Sequence, residues 1–543
     1  MPRITVELDV EVMMRDGVAL RANVFRPDSG RWPALLTRLP YSKDGRWARD
    51  VLEPIFAAAR NYAVVVQDTR GCFRSGGEWR PYAGESEDGA DTIDWIASQP
   101  WCNGRVGMYG ASYYGFTQWA AAQQRPAALM ALVPFIAAGT SATTSSFGSV
   151  PDFGMHLLWD LQMRLASKLR SGLGPNDPGI GSLVSQIDGL GRLGYHVQLL
   201  DTSGEPELSA PPPPIAYGAI AVPALHVGAW YDIFLRETLA AFTAQRRAGT
   251  PSKLLIGPWT HLDRYDPIGE RTYGLSSEID SIDLAESFAD IQVRWFDHWL
   301  KQLDSGVMDE PPVRIFVMGR NCWRFEDDWP PPGAVATRAY LRAGGRLALA
   351  IPRAEPPDIF EARTDDPVPT LGGATMIAPP LRAGPFDQRV IASRPDVLEY
   401  ATEPLARDVE ISGPVRARLW ARSASEPFDL VARLVDIEPD GRAVNLTDSM
   451  TRVEPNPRGQ GNETRECVLD LAATSNLFRA GHRIALHVTW SSFPRWLPIS
   501  RSSGGEPRVV GYEIFHDSQR PSYLELPVLG ADTISTMNRP GSR

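Results

Sequence analysis

The stretch Val106-Gly107-Met108-Tyr109-Gly110-Ala111-Ser112-Tyr113-Tyr114-Gly115 is a short apolar strand that stops at a serine set among glycines and then takes up a helical pattern. This commits the chain to a sharp strand-to-helix turn, in which glycines let the backbone fold back tightly enough to present the serine Oγ at the end of a sheet. The usual spacing is Gly-x-Ser-x-Gly. Here Tyr114 stands where the second glycine is expected, and Gly115 follows one residue later. A serine among glycines is weak evidence by itself. A working nucleophile also needs an imidazole base and a carboxylate that orients it.

The chain has eight histidines, which limits the search for the base. His226 lies inside the apolar run Pro223-Ala224-Leu225-His226-Val227-Gly228 and reads as a core or strand-face residue. His298, among Trp295, Phe296 and Trp299 on an amphipathic helix, reads as packing, and His482, His487 and His516 fall far downstream in a β-rich region. His261 differs: it follows the strand Lys253-Leu254-Leu255-Ile256-Gly257 and the turn Pro258-Trp259-Thr260. It therefore falls just past a strand's C-terminal end, where the loops of an open α/β sheet carry active sites. Asp232 occupies an equivalent place, after the run 224–231 and before a helical pattern near Phe234; its other reading is a helix N-cap. The order Ser112, Asp232, His261 is that of α/β-hydrolases and differs from those of the chymotrypsin and subtilisin folds.

Five ordered motifs now stand together: Arg38-Leu39-Pro40-Tyr41, Gln67-Asp68-Thr69-Arg70-Gly71, Gly110-Ala111-Ser112-Tyr113-Tyr114-Gly115-Phe116-Thr117-Gln118-Trp119, Gly228-Ala229-Trp230-Tyr231-Asp232 and Gly257-Pro258-Trp259-Thr260-His261. Together they resemble the cocaine esterase-like (CocE/NonD) serine hydrolases, relatives of the X-Pro dipeptidyl-peptidases and the α-amino-acid ester hydrolases. The family's elbow is G-x-S-Y-x-G, which accounts for the displaced glycine. An oxyanion hole usually takes the backbone N–H after the nucleophile, here that of Tyr113, and one donor from the loop after the third strand. That loop holds Pro40 and Tyr41 in place of a glycine run, so a side-chain donor is expected. The resemblance implies the Tyr41 phenol; the residues alone equally allow a packing role.

For the substrate, Leu158, Trp159 and Tyr114 are candidates for an apolar acyl or leaving-group pocket, although a tryptophan is more often core. The resemblance adds Phe234, because the family carries an aromatic two residues after the acid. It also implies an acidic residue at position 114 in the amino-acid ester hydrolases, and the tyrosine here weakens a preference for α-amino substrates.

At 543 residues the chain is too long for one core. Residues 4–12 and 20–25 alternate as opening antiparallel strands, Ala63-Val64-Val65-Val66 reads as a buried strand, and 85–98 reads as a helix with Asp88, Asp91 and Asp94 on a solvated face. The expected fold class is α/β, with an α/β-hydrolase catalytic domain over 1–139 and 221–308. A helical cap is inserted at 140–220, where the pattern turns irregular around Pro211-Pro212-Pro213-Pro214. From 309 to 543 many short strands separated by turns such as Glu438-Pro439-Asp440-Gly441 indicate a β-sandwich, which the resemblance makes a jelly roll. Ser491-Ser492-Phe493-Pro494-Arg495 resembles the family there, whereas Ser500-Arg501-Ser502-Ser503-Gly504 departs from its asparagine-rich form.

The net charge of -10, with both signs intermixed, argues against nucleic acid or an anionic membrane as partner. No run of 18 apolar residues occurs, and Met1-Pro2-Arg3-Ile4-Thr5-Val6-Glu7 lacks the pattern of a signal peptide, so a cytoplasmic protein is expected. Cys72, Cys102, Cys322 and Cys467 are scattered and indicate neither a zinc site nor a disulfide framework. The expected activity is hydrolysis of an ester or amide of a small acyl substrate through an acyl-enzyme, with no metal or organic cofactor and a homodimer plausible. The alternatives are an X-Pro dipeptidyl-peptidase, an α-amino-acid ester hydrolase or acyltransferase, and a non-catalytic β-sandwich binding protein with a vestigial hydrolase core.

Overall fold

The computed structural model describes residues 3–137, 150, 152–170, 214–377, 379–456, 463–499 and 508–530. Ten strands form the first sheet: β1 (Ile4–Met13), β2 (Ala19–Pro27), β3 (Trp32–Leu39), β4 (Ala63–Asp68), β5 (Cys102–Ala111), β6 (Leu129–Phe135), β7 (Ala224–Tyr231), β8 (Ser252–Thr260), β9 (Val313–Val317) and β10 (Cys322–Glu326). Their spatial order is β1-β2-β4-β3-β5-β6-β7-β8-β9-β10. The opening strands pair antiparallel and every pairing from β4 through β9 is parallel. Every residue of β4, β7 and β8 is buried, as expected of parallel strands covered on both faces. This is the expected α/β-hydrolase core. The sheet continues beyond residue 308, the division drawn from the sequence, because β9 pairs with β8 and β10 with β9. Pro311 and Pro312 turn the chain into this edge.

Helix α1 (Glu85–Ser98) buries Ile93 and Ile96 against the sheet. Its acidic residues are not uniformly solvated: Asp88 is buried beside Arg70, whose Nη2 lies 2.6 Å away, and Asp91 pairs with Arg15. Of these three aspartates only Asp94 is exposed. Three-residue spacing places carboxylates on one helical face but does not tell that an arginine-bearing loop covers it.

Helix α2 (Ser112–Gln123) begins at the elbow, and Ser112 has φ +54°, the left-handed conformation that a nucleophile turn requires. A Cβ on Gly115 would lie 2.4 Å from the Cβ of Ala137. Helix α2 and the segment just after β6 thus touch at position 115, not 114, which is the physical reason for the displaced glycine. A Cβ on Gly110 would similarly meet Tyr114 at 2.4 Å.

Of the cap expected at 140–220, helix α3 (Phe153–Arg170) is described, and most of the rest, including Pro211 to Pro213, lies outside the described residues. The start of α3 is fastened to the C-terminal domain. Asp152 Oδ1 accepts from the Met155 N–H at 3.0 Å, and the guanidinium of buried Arg495 lies 3.4 Å from the same carboxylate. A Cβ on Gly154 would meet Ile377 at 2.4 Å and the Pro494 carbonyl at 2.9 Å. Ser491-Ser492-Phe493-Pro494-Arg495 is thus the seat of the cap helix; Ser500 to Gly504 lie outside the described residues.

Eleven strands between Ala334 and Leu529 form the C-terminal β-sandwich, antiparallel except where 346–348 meets 398–401. Its core is continuous with that of the hydrolase domain. At the junction Trp230 packs on Trp329 and donates to the Phe316 carbonyl at 2.7 Å, and the Tyr231 hydroxyl donates to the Asn445 carbonyl at 3.1 Å. The two residues before Asp232 are therefore held by buried, satisfied contacts, as large polar-tipped aromatics require. No helix among the described residues is long and apolar enough to cross a membrane.

Candidate active site

Ser112, Asp232 and His261, 120 and 29 residues apart in sequence, meet at the C-terminal ends of β5, β7 and β8. His261 Nε2 lies 3.1 Å from Ser112 Oγ, and its Nδ1 lies 2.7 Å from Asp232 Oδ1. Asp232 is fully buried and divides its carboxylate: Oδ2 accepts from the Phe234 N–H at 2.9 Å, leaving Oδ1 to the imidazole. Asp232 is not the helix N-cap, a position that Phe234 takes without a side-chain bond; its second oxygen instead closes the turn that leads into the helix. Helix α4 (Leu235–Arg247) follows directly. An acceptor-only carboxylate at Nδ1 selects the tautomer with hydrogen on Nδ1, so Nε2 carries the lone pair that faces Oγ. The Phe234 ring packs edge-on against the imidazole, 5.5 Å between centroids, and limits its rotation.

His226 is elsewhere. It is buried 2.9 Å from Gln245 Oε1 and stacked on Trp119, and burial pushes it down to about 3. It is a neutral core residue.

Tyr41 lies beside the elbow, its ring edge-on to Tyr113 and Tyr114. The Trp159 indole N–H donates to the Tyr41 oxygen at 3.1 Å. An indole N–H only donates, so the phenol oxygen accepts and its own hydrogen is left free for another partner. Burial pushes Tyr41 up to about 12, which keeps that hydrogen in place at neutral pH. Tyr113 lies in the first turn of α2, where backbone N–H groups have no intrahelical acceptor. Its side chain is locked from behind: the hydroxyl donates to Glu85 Oε1 at 2.8 Å and accepts from the Tyr82 N–H at 2.9 Å, while Arg38 Nη1 holds Glu85 at 2.8 Å. Sequence reasoning missed this support, although Arg38 stands in the same motif as Tyr41.

A cavity of roughly 220 Å³ opens onto Ser112 and His261. Tyr114, Leu158, Trp159 and Phe234, all singled out in the sequence, line it, with Tyr41 and Tyr113. Residues that were missed also line it: Tyr82, Met155 and Ile233 add apolar surface, Met376 arrives from the C-terminal domain, and Arg46, Asp50 and Arg264 add charge. Arg264 stands three residues after His261 and Asp50 nine after Tyr41. Proximity to the motifs was the available signal.

Residues 16–174 and 203–263 match the model of the X-Pro dipeptidyl-peptidase (S15) family, and 305–525 match the X-Pro dipeptidyl-peptidase C-terminal non-catalytic domain. A cocaine esterase of Rhodococcus sp. (strain MB1 Bresler) is 34% identical over 97% of this chain and 99% of its own. The chain belongs to the CocE/NonD hydrolase family. It is a serine hydrolase. The family's architecture extends to more distant structures. A CocE/NonD family hydrolase from Staphylococcus aureus superposes with a TM-score of 0.71 at 19% identity, covering 97% of this chain and 94% of the other. An aminopeptidase from a marine sediment archaeon, Thaumarchaeota archaeon, superposes with a TM-score of 0.75 at 22% identity, covering 97% and 96%. At such identities the likeness concerns the fold.

Proposed function

We propose that this chain hydrolyses carboxylic esters of small acyl groups through a covalent acyl-enzyme. The observation that carries the reading is the unbroken relay from Asp232 through His261 to Ser112 at the wall of a largely aromatic cavity. Ser112 Oγ attacks the ester carbonyl as His261 Nε2 takes its proton. The tetrahedral oxyanion accepts hydrogen bonds from the Tyr41 hydroxyl and the Tyr113 N–H. Asp232 stabilises the imidazolium, which returns the proton to the departing alkoxide. A water activated by the same imidazole then attacks the acyl-enzyme, and the acid product leaves. No step calls for a metal or an organic cofactor.

An amide can enter the same route, but removal of dipeptides after proline also requires an unpaired carboxylate to hold a free amine. Asp50, the carboxylate among the described lining residues, is paired with Arg264 at 2.5 Å, which supports the ester reading over the peptidase one. The resident compartment we propose is the cytoplasm, because none of the four cysteines is in a disulfide and three of them are buried.

Incubation with a fluorophosphonate followed by intact-mass analysis and peptide mapping tests the assignment. One adduct on Ser112, absent in His261→Ala, is expected, together with turnover of aryl esters well above that of X-Pro anilides. A folded protein that takes no adduct would favour the non-catalytic binding protein. Tyr41→Phe removes one oxyanion donor and should lower kcat about 10²- to 10³-fold with little change in KM. A kcat within threefold of wild type would return Tyr41 to a packing role.

A further inference from the structure

The cavity has two chemically different compartments. One is lined by Tyr82, Tyr113, Met155, Trp159 and Phe234, which share a hydrophobic cluster. The other is lined by Arg46, Trp47, Asp50, Tyr114 and Arg264, with Tyr114 and Trp47 belonging to a different cluster. Tyr41 packs against both clusters. Tyr41, assigned above to the oxyanion, therefore borders both, and the two arms that diverge from an ester carbonyl have one compartment each.

The second compartment holds two guanidinium groups and one carboxylate. Arg264 is only 7% exposed, and its guanidinium lies over the Phe135 ring at 5.4 Å. Asp50 Oδ2 takes one of its N–H groups; the others have no acceptor among the described residues. The Tyr114 hydroxyl, in a side chain that is nearly buried, likewise has none. Arg46 stacks on Trp47 at 4.3 Å and has no carboxylate within 4 Å among the described residues. The remaining N–H groups of Arg264 and Arg46 and the Tyr114 hydroxyl are uncommitted donors, against which stands one free carboxylate oxygen among the described residues, Asp50 Oδ1, and the compartment carries a net positive charge.

A carboxylate satisfies such a donor set, because its two oxygens match the fork of a guanidinium. An ammonium group would find Asp50 alone, already shared with Arg264. We infer that the compartment of Arg46, Tyr114 and Arg264 binds a carboxylate carried on one arm of the ester, so that the substrates are esters with an anionic end. The inference rests on the ester-hydrolase reading above.

The test compares kcat/KM for esters matched in length. On the acyl arm these are an aryl hexanoate, the aryl monoester of adipic acid and an aryl 6-aminohexanoate. On the other arm they are butyrates of 4-ethylphenol and of 4-(carboxymethyl)phenol. On one arm the wild-type enzyme should favour the carboxylate over its methyl-ended partner by about tenfold or more. Arg264→Met, and Asp50→Asn with Arg264→Met so that Asp50 is not left unpaired, should bring the ratio to one or below. Asp50→Asn alone should raise it, since the freed guanidinium has no competing carboxylate. A change in packing alone would shift both members of a pair alike. Preference of the wild type for the esters without a carboxylate on both arms, or an equal loss on both members of each pair in Arg264→Met, overturns the inference while leaving the hydrolase reading intact. Absence of any ester turnover together with absence of a phosphonate adduct on Ser112 overturns both.

Discussion

Ser112→Ala should lose about 10⁵-fold in kcat on an aryl ester. Alanine removes the Oγ that His261 Nε2 faces at 3.1 Å, so no acyl-enzyme can form. The fold should survive. Serine and alanine both carry a Cβ, so the left-handed backbone at position 112, φ +54°, is no more strained in the variant. The lost hydroxyl leaves the imidazole facing a cavity open to water, so no buried polar group is stranded. The residual rate should reflect binding and the oxyanion donors alone. Steady-state kinetics beside thermal unfolding measures both halves of the expectation. Turnover within tenfold of wild type by a pure, folded variant would remove Ser112 from the chemistry.

Asp232→Asn should cost about 10⁴-fold in kcat through a proton in the wrong place. The native carboxylate accepts two hydrogen bonds, from His261 Nδ1–H at 2.7 Å and from the Phe234 N–H at 2.9 Å. An amide has one acceptor. If its oxygen keeps the Phe234 N–H, its NH₂ group faces Nδ1, and the imidazole can satisfy it only by moving its hydrogen to Nε2. That hydrogen then points at Ser112 Oγ, and no base remains. If the amide turns over, the Phe234 N–H faces a donor inside a buried turn, which costs about 1–3 kcal/mol. Activity in the variant should rise at high pH, where hydroxide can substitute for the missing base. A variant within tenfold of wild type at neutral pH would show that the tautomer is set by something other than Asp232.

What the chain alone determined is what local rules control. The displaced glycine of the elbow, the all-buried strands β4, β7 and β8, and the places of Asp232 and His261 just past strand ends each depend on a few consecutive residues. Backbone geometry and side-chain period act over that range. The same rules placed the helix at 85–98 correctly and then misjudged Asp88, because the arginine that covers it comes from another loop. Tertiary structure alone decided the partners. Trp159 reaches the Tyr41 oxygen across 118 residues, Asp50 meets Arg264 across 214, and Arg495 sits under the start of the cap helix more than 300 residues before it. The sequence named Trp159 and Tyr41 separately, but nothing in it tells that one aims the other's hydrogen, or that Met376 of the β-sandwich closes the same cavity. Such contacts arise from packing between segments far apart in the chain, and long-range packing leaves no periodic trace in it.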